Sequence, residues 1–126
     1  MRANGSPERR RETGARGEDI AEKHLLRSGY CIVERNYRCR EGELDIIAWQ
    51  DDCLVFVEVR TRTGGGFGTP EESVTPLKRD RLALLADAYI QGLDEPPESW
   101  RIDVVGVELG SGGRVVRLEH IENVTG

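Results

Sequence analysis

Gly42-Glu43-Leu44-Asp45-Ile46-Ile47-Ala48-Trp49, a polar turn at Gln50-Asp51-Asp52, and then Cys53-Leu54-Val55-Phe56-Val57-Glu58-Val59-Arg60 decide how this chain folds. Alternation with a period of two puts Leu44, Ile46 and Ala48 on one face of the first run, and Glu43, Asp45, Ile47 and Trp49 on the other. The second run repeats the pattern, with Val55, Val57 and Val59 opposed to Leu54, Phe56, Glu58 and Arg60. β-Branched residues with apolar neighbours on both faces mark central strands covered on both sides. The short polar turn predicts an antiparallel hairpin, which sets Asp45 beside Glu58. Two carboxylates so placed repel, and each is costly to bury without a partner, so a cation is expected between them. A metal ion or the guanidinium of Arg60 would serve.

A chain of 126 residues with 37% hydrophobic content suits one globular domain with a modest core. No apolar run approaches membrane-spanning length, and the segment up to Arg11 lacks the apolar centre of a signal peptide, so a cytoplasmic protein with no membrane partner is expected. Cys31, Cys39 and Cys53 are odd in number and lack C-x-x-C spacing, which disfavours a disulfide framework and a zinc site; they read as small buried or half-buried residues. The net charge of −5 argues against a protein that merely coats nucleic acid. Three candidate metal carboxylates, Glu18, Asp45 and Glu58, account for much of that excess, and the cations are mostly arginines, suited to forking onto phosphate. They cluster at the start of the chain, at Arg35, Arg38 and Arg40, and at Arg60 and Arg62; solvated surface arginine is the plain alternative for any one cluster.

Residues 1–11 are charged and aperiodic, which reads as a flexible tail, and residues 12–126 as the single domain. Ile20, Ala21, His24 and Leu25 share a stripe on a helix that begins near Glu12 and stops at Ser28-Gly29, with Glu18 at the border of the stripe. His24 reads as a satisfied boundary histidine rather than a ligand. A strand from Tyr30 to Tyr37 precedes the hairpin, and the glycine-rich stretch from Thr63 to Pro70 follows it as a lid or phosphate-tracking loop. Thr75 caps a second helix with Pro76 at its first position, and Leu77, Leu84, Leu85 and Ala88 supply its buried stripe. Lys78 shares a side with Leu82, Leu85 and Tyr89, and with Thr75 offers a place for a nucleic-acid phosphate. Strands around Arg101 to Val107 and Gly113 to His120 complete the order αβββαββ, an α/β domain with a mixed β-sheet flanked by helices.

Glu18, the Gly42-to-Ala48 and Phe56-to-Arg62 segments, Phe67-Gly68 and Arg101-Ile102-Asp103 together resemble the YraN-like family of small bacterial proteins. That family is similar to the restriction-endonuclease-like PD-(D/E)XK nucleases and, within them, to archaeal-type Holliday junction resolvases. The resemblance covers the chain from about Gly14 to Asn123. It implies a restriction-endonuclease-like core and a phosphodiesterase site using Mg²⁺ or Mn²⁺, with Asp45 as bridging aspartate, Glu58 as second carboxylate and Glu18 as the helix glutamate that completes the metal site. It also implies DNA as partner, branched, flapped or single-stranded, in repair or recombination, and favours a homodimer.

Arg60 stands where the motif has lysine. Arginine is not deprotonated in proteins, so it cannot be a general base; it can fork onto a phosphate and stabilise developing charge. Three expectations follow: a metal-dependent endonuclease with Asp45, Glu58 and Arg60 at its centre and Arg62, Lys78 and Thr75 toward nucleic acid; an inactive nucleic-acid-binding module of the same fold; or an ion-pair network that works through a partner. Buried ion pairs stabilise poorly, which weighs against the last.

Overall fold

A computed structural model describes residues 7–64 and 68–124. Five strands form one sheet in the order β1-β2-β3-β4-β5: Cys31–Cys39, Gly42–Gln50, Cys53–Thr63, Ser99–Leu109 and Val115–Ile121. The first three are antiparallel, β4 runs parallel to β3, and β5 returns antiparallel to β4, so the sheet is mixed. The parallel step requires a crossover, which helix α2 (Pro76–Gln91) supplies on the face opposite helix α1 (Pro7–Arg27). The order αβββαββ and the flanked mixed sheet are those read from the sequence.

Each face has its own core. Ala21 and Leu25 of α1 pack with Ile46, Ala48, Val55, Val57, Val59, Val105 and Val107. Leu82, Leu85 and Ala86 of α2 cover Leu44, Ile47, Leu54, Phe56 and Ile102. Period-two alternation on β3 and β4 makes this division, because their paired residues point the same way and both faces are apolar. The alternation expected on β2 fails at one point: Leu44 belongs to the α2 side, whereas Ile46 and Ala48 belong to the α1 side.

Three sequence expectations are corrected. Helix α1 begins at Pro7 rather than near Glu12. Ser6-Pro7-Glu8 carries the same start signature in the sequence as Thr75-Pro76, and the exposed Glu8, Arg10 and Arg11 lie on the first turns of a helix whose later turns hold the apolar stripe; residues 1–6 lie outside the described residues. On α2 the buried residues are Leu82, Leu85 and Ala86, while Leu77 and Leu84 are 74% and 73% exposed and Ala88 is exposed too. Apolar residues lie on several sides of this helix, and the sheet selects the side that also carries Tyr89 and the edge residue Lys78. Cys31 is exposed, whereas Cys39 and Cys53 are half-buried; the side chain of Cys31 projects from edge strand β1, which no neighbour covers on that side.

Helix α1 crosses β3 closely at Gly17. A Cβ there would fall on the Thr61 hydroxyl, so only glycine lets the helix approach and brings Glu18 over the end of β3.

Candidate active site

The β2–β3 ladder runs from Gln50↔Cys53 to Ile46↔Val57 and stops, while β2 continues beside β1 to Gly42 and β3 continues beside β4 to Thr63. The two strands therefore fork beyond Ile46 and Val57. Asp45 and Glu58 are the next residues on each side. With no backbone partner across the fork, the Val59 N–H donates instead to Asp45 Oδ2 at 2.9 Å. Asp45 also forms a hydrogen bond with Glu58, as the hairpin register requires.

Burial, first, and repulsion from Glu58, second, push the Asp45 carboxyl well above the ordinary carboxylate range; Glu18 adds to the repulsion. Glu58 is raised by burial, while its bonds to Asp45 and Arg60 and the charge of Lys78 draw it back. The pair as a whole is therefore harder to ionise fully than ordinary carboxylates, and a fully ionised pair would need a cation.

Arg60 Nη1 lies 3.3 Å from Glu58 Oε2, and Arg60 Nε donates to Ser73 Oγ at 2.9 Å. The Ser73 hydroxyl donates in turn to the Pro70 carbonyl at 2.7 Å, and Lys78 Nζ donates to the Ser73 carbonyl at 3.2 Å. Ser73, in the 3-10 turn Pro70–Ser73, thus holds both cations near Glu58. It escaped the sequence reading because nothing in its local pattern points to a site; it enters through the return of the chain after the glycine loop.

A cleft of about 980 Å³ opens over the fork, lined by Glu18, Asp45, Glu58 and Arg60 together with Arg10 and Arg16. Arg16 Nε donates to the Gly113 carbonyl at 2.7 Å, joining α1 to the β4–β5 turn across the cleft. Arg10 and Arg16 were placed in the N-terminal arginine cluster; the early start of α1 puts them on the rim.

Glu18 lines the same cleft, but its Oε1 is 3.2 Å from Arg35 Nη2, and Arg35 also binds Asp19 and Glu22. With its amide turned, Asn36 donates to both Glu18 and Glu43. No group of three or more His, Cys, Asp or Glu among the described residues is positioned to hold a metal ion. Asp45 and Glu58 are the carboxylates in mutual contact, and hard oxygen donors of this kind suit Mg²⁺ or Mn²⁺, which bind through one or two carboxylates and retain several waters.

Arg62, Lys78 and Thr75 do not line the cleft. Arg62 Nη1 donates to the Gly68 carbonyl at 2.7 Å, beside the glycine loop, of which Gly65, Gly66 and Phe67 lie outside the described residues. Thr75 caps α2 by accepting from the Lys78 N–H at 3.3 Å. His24, read as a satisfied boundary residue, lies with Nε2 2.9 Å from His120 Nδ1, away from the fork.

Residues 17–107 match the model of the uncharacterised protein family UPF0102. The chain is 49% identical to the UPF0102 protein of Symbiobacterium thermophilum, with 90% of this chain and 95% of that one covered. It is 47% identical to those of Desulforamulus reducens, covering 90% and 95%, and Roseiflexus castenholzii, covering 90% and 92%. The matched span contains Glu18, Asp45, Glu58, Arg60, Ser73 and Lys78 of this chain, and the chain belongs to UPF0102, the YraN-like family its motifs resemble.

Proposed function

We propose that this protein is a metal-dependent endonuclease that hydrolyses DNA phosphodiester bonds, with structured or single-stranded DNA as substrate in repair or recombination. The observation that carries the reading is the Asp45–Glu58 pair: two mostly covered carboxylates in a strand fork, short of a cation, at the floor of an arginine-rimmed cleft. A purely structural pair would be relieved by a nearby full counter-charge. Arg60 brings one positive charge to two carboxylates, pairs with Glu58 alone and is partly exposed, so it neutralises only part of the pair.

Asp45 and Glu58, once both ionised, would hold Mg²⁺ or Mn²⁺. Such an ion would supply charge able to polarise the scissile phosphate and acidify an attacking water. Arg60 then forks onto a phosphate oxygen and stabilises the charge that develops there, but takes no proton. Lys78 is a second cation near Glu58, and its bond to the Ser73 carbonyl keeps it within reach. Arg10 and Arg16 guide the backbone over the fork by neutralising phosphates. Glu18 acts from outside the pair, through its charge on Asp45.

The test is cleavage of a panel comprising single strand, duplex, flap and four-way junction with Mg²⁺ or Mn²⁺, wild type beside Asp45→Ala. Metal-dependent cleavage that disappears in the variant supports the reading and names the preferred DNA shape. DNA binding without cleavage in either protein supports a second reading favoured by Arg60, a binding module that keeps the fold without the chemistry. Neither binding nor cleavage refutes both.

A further inference from the structure

Among the described residues two charged side chains are buried, Asp103 and Glu71. Glu71 belongs to the 3-10 turn Pro70–Ser73, where the chain comes back to the sheet between β3 and α2, and it lies outside the cleft. Its carboxylate is covered and yet fully forked: Arg117 Nη2 donates to Oε2 at 2.6 Å and Arg117 Nη1 to Oε1 at 3.1 Å. Those bonds hold the carboxyl below the ordinary range, against a burial that would raise it.

The sheet makes room for this carboxylate. By alternation Gly106 and Glu108 of β4 share a face with Glu119 and Arg117 of β5, their ladder partners. A Cβ at Gly106 would fall on Glu71 Oε1 and stand 3.1 Å from both its Cδ and its backbone nitrogen. Gly106 thus admits the carboxylate and the backbone of the turn onto β4, where a larger residue would push both away.

The turn around Glu71 is closed on itself. The Ser73 hydroxyl donates to the Pro70 carbonyl, the Val74 N–H donates to the Glu71 carbonyl at 3.2 Å, and the Thr69 N–H donates to Glu72 Oε1 at 2.7 Å. A shift of Glu71 therefore carries Ser73 with it. With its proton directed at Pro70, the Ser73 hydroxyl accepts from Arg60 Nε at 2.9 Å. Arg60 is partly exposed, so burial does not fix its guanidinium; Ser73 and Glu58 do.

We infer that Glu71 is a positioning residue for Arg60: locked over Gly106 by Arg117, it sets the Pro70–Ser73 turn, whose Ser73 hydroxyl aims the Arg60 guanidinium beside Glu58. The catalytic consequence rests on the nuclease reading above, in which Arg60 meets a phosphate oxygen from this place.

Heteronuclear NMR of the full chain, free of DNA and metal, tests the hold on Arg60 directly. Wild type is compared with Glu71→Gln, Arg117→Lys, Ser73→Ala and the double variant Glu71→Gln/Ser73→Ala. Exchange of the Arg60 Nε–H with solvent should quicken about fivefold in Glu71→Gln, the effect of one net hydrogen bond, and by less in Arg117→Lys, which keeps the charge and loses the fork. The titration of the Asp45–Glu58 pair should move to higher pH, because Arg60 is among the groups that draw Glu58 down. The double variant should exchange no faster than Ser73→Ala, since Glu71 acts through that hydroxyl. Loss of packing alone would leave the carboxyl titration in place and make the two substitutions additive; either result in a folded variant overturns the inference. Should Glu71→Gln not fold, Arg117→Lys decides, because its side chain is partly exposed: an unmoved Arg60 signal there overturns the inference equally. In the cleavage panel, Glu71→Gln should lower kcat about fivefold with KM unchanged. Wild type that cleaves nothing refutes the nuclease reading and not the hold on Arg60, because the NMR comparison needs no DNA.

Discussion

Asp45 and Asp103 are aspartates on neighbouring parts of one sheet, and the fold treats them in opposite ways. Asp103 is fully buried, yet its carboxyl is held below the ordinary range. Burial would raise it, but His120 and Arg101 side chains and the Asn123 N–H outweigh that penalty. Arg101 Nε donates to Oδ1 at 2.9 Å, the Asn123 N–H donates to Oδ1 at 3.0 Å, and His120 Nε2 lies 2.8 Å from Oδ2. Asp45, less buried, has one backbone donor and a like-charged neighbour, and is raised. Burial sets the size of the penalty; the partners set its sign. A carboxylate with every lone pair occupied is structural, and one left short of cations in a cleft is available for chemistry.

The sharpest way to break this contrast is Asp103→Ala, which strands Arg101 and His120 in partly buried positions. Loss of one member of such a network costs about 3–5 kcal/mol, to be read from urea unfolding, and a loss below about 1 kcal/mol would place Asp103 outside the stabilising set. Asp45→Asn should instead leave the metal-free protein about as stable as wild type near pH 3, below the ordinary aspartate value, and increasingly more stable than wild type as pH rises to 8, because each unit by which the fold raises this group costs about 1.4 kcal/mol once it ionises.

The same pair of aspartates sets opposite pH dependences. The raised folded value of Asp45 means its favourable contribution is present at low pH and is lost as pH rises through that value. The lowered folded value of Asp103 means its contribution is present above the unfolded value and is lost as pH falls toward the folded one. Urea titrations from pH 3 to 9 should show the gap between wild type and Asp103→Asn closing toward acid, and the gap between wild type and Asp45→Asn opening toward alkali. Added Mn²⁺ should close the second gap and leave the first unchanged; equal effects on both would contradict a metal site at the fork.

The smallest effect is expected at the rim of the satisfied network. His24 touches Asp103 only through His120, and burial followed by the neighbouring His120 lowers its pKa, so it supplies a neutral partner. His24→Gln should cost about 1 kcal/mol or less and leave DNA cleavage unchanged, which thermal melting and the cleavage panel would check.

Much of the fork was legible beforehand. The adjacency of Asp45 and Glu58 was expected from period-two strands and a polar turn at Gln50-Asp51-Asp52, all local in sequence; the observed turn is tighter, Asp51-Asp52, and pairs Gln50 with Cys53. The exposed Leu77 and Leu84 were not legible, because α2 is apolar on several sides and only contact with the sheet selects one. Ser73 and the partners of Asp103 were hidden for a related reason: Tyr30, Arg101, His120 and His24 come from four separate segments, and His24 and His120 are 96 residues apart.

The sequence by itself determined the order of the elements, the central hairpin, the paired carboxylates, the substitution of arginine at position 60 and the family, because each is written in local periodicity or in a contiguous motif. The tertiary structure decided where β2 and β3 part, which face of α2 is covered, how far α1 extends its arginines over the cleft, and which aspartate is fully partnered. Those outcomes depend on groups distant along the chain meeting in space, and on the competition between burial and the charges that burial brings together.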